Sequence, residues 1–91
     1  MKFPIKHCVP TSLLTQETYS ELICKLVSEG YRNQYPHIQT VSLIRCWEYL
    51  GVNSYGDVFP YNDNRHYASI DCEGFDNVLT EQWLEEYLKW V

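Results

Sequence analysis

Residues 15–30 read TQETYSELICKLVSEG, and the reading of this stretch decides the architecture. Thr15 can accept a backbone N–H as an N-cap, Glu17 falls in the first turn, and Gly30 is a C-terminal stop. Between them Tyr19, Leu22, Ile23, Leu26 and Val27 recur at i, i+3, i+4, i+7 and i+8, which is one stripe of an α-helix. Leu14 before the cap and Tyr19 at the fourth helical position fit a hydrophobic staple. A helix with one apolar stripe must bury it, and the flanking sequence predicts a sheet to bury it against.

Upstream, Phe3 and Ile5 alternate with Lys2 and Lys6, so residues 2–9 predict a first strand that Pro10 closes. Pro4 cannot donate to a ladder, which assigns this strand to a sheet edge. Downstream, residues 31–40 (YRNQYPHIQT) are polar, contain Pro36 and read as a loop. From Val41 to Val52 β-branched and aromatic residues dominate both alternating faces, predicting one long strand. NSYG at 53–56 then marks a hairpin into Asp57–Tyr61, with Gly56 free to take a positive φ. NDNR at 62–65 leads to a last strand over His66–Asp71, and EGFDN at 73–77 reads as a turn. Thr80 caps a closing helix, with Leu79 and Leu84 as a second staple. Its apolar stripe is Trp83, Leu84, Tyr87, Leu88 and Val91, while Glu81, Glu85 and Glu86 cover the outside. The expectation is an α+β fold: a two-layer, mostly antiparallel sheet of about four strands, in the order β-α-β-β-β-α, with two helices on one face. Ninety-one residues suit a single domain, 1–91.

Charge is unevenly divided. Residues 46–91 hold nine carboxylates against Arg65 and Lys89, a net −7, whereas residues 1–45 sum to +2. This balance argues against direct binding of nucleic acid or an anionic membrane by charge. No apolar run approaches the roughly 20 residues of a spanning helix. The opening MKFPIKHCVP has no apolar signal region, so reduced thiols and a cytoplasmic location are expected. Cys24 and Cys46 read as small hydrophobes within the core.

Catalytic patterns are sparse. Cysteines at 8, 24, 46 and 72 form no CxxC pair, and adjacent His7 and Cys8 on a strand would point to opposite faces. His66, Asp71, Cys72 and Asp76 match no metal-ligand spacing, so neither a metal nor another cofactor is expected. Glu81, Glu85 and Glu86 share one solvated environment, whereas acid–base pairs need environments that separate their pKa values.

In layout the chain resembles small phage-encoded proteins: a short strand, a capped helix ending in Gly-aromatic, a polar loop, then a hairpin with Gly near its turn. The matching stretches are TQETYSELICKLVSEGY at 15–31 and WEYLGVNSYGDVF at 47–59, roughly half the chain. The resemblance implies an accessory role, often interference with host machinery or host defence, and carries no catalytic residue across.

The leading expectation is a non-enzymatic module that inhibits a host or defence protein with a basic surface, acting in the cytoplasm, which is the host's if the chain is phage-encoded. Its expected partner-binding residues are Asp57, Tyr61, Asp63, Asp71, Glu73, Phe75, Asp76, Glu81 and Glu85. Carboxylates there would steer a basic surface and could imitate nucleic-acid phosphate, while the aromatic residues would supply desolvated anchors. The same acidic half could instead serve only as a solubilising face. A small thiol- or carboxylate-dependent enzyme and a homo-oligomeric module, such as a homodimer, are the other two classes.

Overall fold

The computed structural model describes residues 2–62 and 77–89. Its elements are β1 (His7–Pro10), a 3₁₀ turn (Thr11–Leu13), α1 (Gln16–Ser28), β2 (Arg32–Asn33), α2 (Val41–Ile44), β3 (Tyr49–Val52), β4 (Asp57–Tyr61), β5 (Asn77–Val78) and α3 (Glu81–Lys89). The architecture is α+β, with a five-stranded sheet in the order β2-β4-β3-β1-β5. The central pairings β1–β3 and β3–β4 are antiparallel, and the outer two, β1–β5 and β2–β4, are parallel.

α1 forms as its sequence dictates. Thr15 Oγ1 accepts the Thr18 N–H at 3.1 Å and Thr18 Oγ1 accepts the Thr15 N–H at 2.8 Å, a reciprocal box satisfying two orphan donors. The helix stops at Gly30, whose φ of 96° lies in the left-handed region that glycine enters freely. Tyr19, Leu22 and Leu26 are buried, Ile23 is half-buried and Val27 is exposed. α3 carries the forward half of such a cap, with Thr80 Oγ1 accepting the Trp83 N–H at 3.1 Å. The hairpin turns at Gly56, φ 81°, and Asn53 Oδ1 holds it by accepting the N–H groups of Tyr55 and Asp57.

All three helices feed one core. Leu22 and Leu26 of α1, Ile44 of α2, and Leu84 and Tyr87 of α3 pack with Val9, Leu50, Val52 and Val58 from one sheet face. The register makes that face continuous, because Val9 lies opposite Leu50 and Val52 opposite Val58. Phe3 completes it from the N-terminal segment, meeting Trp83 and Tyr87 edge-on at 5.4 and 5.6 Å.

Several expectations are corrected. Residues 41–52 are not one strand, because 41–44 are helical. The Val41 N–H is received by Gln16 Oε1 at 2.8 Å, a cap supplied from α1, and Val41 and Ile44 then turn inward at helical spacing. β1 is not an edge strand; it lies between β3 and β5, and Pro4 precedes the ladder. The loop at 31–40 contains β2, and Asn77, expected in a turn, belongs to β5. Cys24 and Cys46 are exposed rather than core hydrophobes, while Cys8 is fully buried. The expected strand His66–Asp71 lies outside the described residues.

Candidate interaction surfaces

Glu81 and Glu85 lie with Glu86 on the exposed side of α3. The helix places them there because Trp83, Leu84, Tyr87 and Leu88 occupy the opposite stripe. Glu81 also sits in the first turn, where the helix dipole favours a carboxylate. Within α3 the countercharge is Lys89, whose Nζ lies 3.3 Å from Glu86 Oε1; both side chains are more than half exposed. A surface pair of this kind contributes little to stability and leaves Glu81 and Glu85 in solvent.

Asp57 is committed differently. Arg32 Nε donates to its Oδ1 at 2.7 Å and Gln34 Nε2 donates to the same oxygen at 3.1 Å. Desolvation pushes the Asp57 carboxyl up, but hydrogen bonds from Gln34 and Arg32, the Arg32 charge and Asn53 together outweigh it and hold the carboxyl below its usual range. Its side chain is 16% exposed, so the charge is largely matched within the protein. Asp57 serves to fasten β2 to β4, with Arg32 Nη2 also donating to Tyr55 O at 2.6 Å.

Tyr61 is corrected as a surface anchor, because only 5% of it is exposed. It lies on the second face of the sheet, opposite Tyr49, with Phe59 at 6.0 Å and Tyr35 against Phe59 at 5.5 Å. Asp63, Asp71, Glu73, Phe75 and Asp76 lie outside the described residues. The sheet order separates what remains: Asp57 stands beside the β2 edge, whereas α3 follows β5 at the other edge, with β3 and β1 between. Among the described residues, Glu81 and Glu85 are therefore the expected site residues that stand together in solvent.

The groups considered for chemistry are placed as follows. Cys8 is shut off from solvent, and the His7 ring shares its Nδ1 with Ile5 O at 2.9 Å. Among the described residues no three His, Cys, Asp or Glu side chains gather as metal ligands would. Nor is any described helix long and apolar enough to cross a membrane. Tyr87 is fully buried, and its hydroxyl makes no well-formed hydrogen bond among the described residues. Burial first, and then the neighbouring Glu29 carboxylate, push this phenol far above its ordinary pKa. Lys25 also holds Tyr87, its Nζ donating to Tyr87 O at 2.7 Å and lying 4.5 Å from the ring centre.

Sequence reasoning missed one concavity. An open groove of about 670 Å³ lies where β1 runs into the 3₁₀ turn and α2 runs into β3. Pro10, Thr11 and Ser12 form one wall, and Arg45, Trp47 and Tyr49, with Glu48, form the other. Thr11 locks the walls together: its Oγ1 donates to Trp47 O at 2.6 Å and its N–H donates to Glu48 O at 2.9 Å. Reading 41–52 as one strand hid this corner, because the groove needs the chain to turn between Arg45 and Tyr49.

Comparison of the chain with protein-family models, with curated proteins and with solved structures gave no match.

Proposed function

We propose that the chain is a non-enzymatic protein-binding module whose acidic surface meets a basic surface on its partner. The observation that carries this reading is the solvent-facing row Glu81, Glu85 and Glu86 on α3, opposed within that helix by Lys89 alone. The sequence between Tyr61 and Asn77 adds Asp63, Asp71, Glu73 and Asp76 against Arg65. Exposed carboxylates such as Glu81 and Glu85 steer association at little cost to the fold, since they are not part of its core. The resemblance in layout to phage-encoded proteins supports an inhibitory role against a host or defence protein. Where that target handles nucleic acid, the carboxylate row would occupy the place of phosphate.

The test is a charge reversal. Glu81→Lys combined with Glu85→Lys should abolish retention of a partner by the immobilised protein while far-UV circular dichroism stays unchanged. Retention equal to that of the unaltered protein would refute the reading.

A further inference from the structure

We propose that the N-terminal segment, residues 2–6, is a strap that holds α3 in place, and that strap and α3 open together while the antiparallel ladder of β1, β3 and β4 stays folded. The consequence for binding rests on the reading of α3 as the acidic face. Glu81 and Glu85, four positions apart, stand in one row only on a formed helix, so releasing the strap would dissolve that face without unfolding the domain. α3 has nine residues, and a helix of that length is marginal in water without tertiary packing.

The packing binds strap and α3 to each other. Among residues 2–6 only Phe3 is buried, so its ring is the strap's anchor. That ring meets both Trp83 and Tyr87, which stack on each other with centroids 5.0 Å apart. The Phe3 backbone is held by side chains at the end of α1 rather than by a strand. Its N–H donates to Glu29 Oε1 at 3.0 Å, and its carbonyl accepts the Tyr31 hydroxyl at 2.5 Å. Lys25, one turn back on α1, secures α3 to the same place through Tyr87 O.

Three further features make this docked unit weaker than the ladder. β5 joins α3 to the sheet through two residue pairs, whereas β1–β3 and β3–β4 each pair over four. The Tyr87 hydroxyl is buried without a well-formed hydrogen bond among the described residues, a cost that opening to water removes. Lys6, at the base of the strap, has a φ of 61°, in the left-handed region that a side chain disfavours. Its N–H donates to Val52 O at 2.6 Å, which sets the hinge where the strap meets the ladder.

The test is native-state amide exchange of the whole chain, followed by ¹H–¹⁵N NMR with no partner present. In the unaltered protein the α3 amides should be about tenfold or more less protected than the ladder amides of β3, because they exchange through an opening that leaves the ladder intact. Tyr31→Phe removes the hydroxyl that holds Phe3 O and should lower α3 protection about threefold or more, although position 31 lies outside α3. Ile44→Val is the control, because Ile44 lies on α2, which Gln16 ties to the first turn of α1, whereas α3 docks near the last. It should lower β3 protection about threefold and leave α3 unchanged. Equal protection of α3 and β3, no response of α3 to Tyr31→Phe, or an equal loss at both after Ile44→Val would overturn the proposal. No partner enters the measurement, so either this proposal or the charge reversal on α3 can fail while the other stands.

Discussion

Replacing Phe3 with alanine asks whether the N-terminal segment is part of the folded core. Phe3 is 1% exposed and meets both Trp83 and Tyr87 edge-on. Its N–H donates to Glu29 Oε1 at 3.0 Å, and its carbonyl accepts from the Tyr31 hydroxyl. Truncating a buried Phe costs about 3–5 kcal/mol through lost transfer energy and the cavity left behind. The two ring contacts place the expected loss toward the upper part of that range, since aromatic pairs add about 0.5–1.5 kcal/mol beyond area. A domain of this size has a total stability near the low end of about 5–15 kcal/mol, so the variant should keep less than half of it. Urea unfolding followed by far-UV circular dichroism would measure the change, with the midpoint falling and the slope unchanged. A loss below about 1 kcal/mol would refute the reasoning, since it would mean that the segment is not docked between α1 and α3.

Leu26→Ala, in the buried stripe of α1, should cost about 2–5 kcal/mol in the same assay, and a loss below about half a kcal/mol would contradict the packing. Asp57, whose folded carboxyl is held below the unfolded value near 3.8, should contribute stability that is fully present above that pH and lost as pH falls through the folded pKa. The cost of Asp57→Asn, measured by urea unfolding, should accordingly be larger at pH 7 than at pH 2.5; an equal or greater cost at pH 2.5 would reverse the sign. Cys24 and Cys46 are exposed and Cys8 is buried, so a thiol reagent with peptide mapping should label the first two in the folded protein and Cys8 only after denaturation. Rapid labelling of Cys8 under native conditions would contradict its placement.

The elements legible in the sequence are those whose determinants are local. α1 and α3 each carry cap, staple and stripe within a few residues, and the β3–β4 turn carries both of its determinants, Asn53 and Gly56, within four residues. α2 was not legible, because its decisive cap comes from Gln16, 25 residues away in the chain. Pro4 argued for an edge only on the premise that the strand began before it; Lys6, at φ 61°, turns the chain before the ladder starts. The candidate site divides in the same way. Glu81 and Glu85 are solvent-facing because an amphipathic helix determines its own outside. The Asp57 pairing was not legible, because its partner Arg32 is brought beside it only by the parallel β2–β4 pairing. Tyr61 was misread because strand alternation says which residues share a face, not whether that face is covered.

The central claim is that the carboxylates of α3 steer a basic partner. Its most direct test is the association rate of a retained partner measured by stopped flow from about 50 to 500 mM salt, for the unaltered protein and for Glu81→Lys with Glu85→Lys. Screening shortens to a few Å across that range, so the association rate of the unaltered protein should fall at least tenfold while dissociation changes little. The reversed variant should start slow and respond weakly to salt. Association that is equally fast in both proteins and flat with salt would contradict the account.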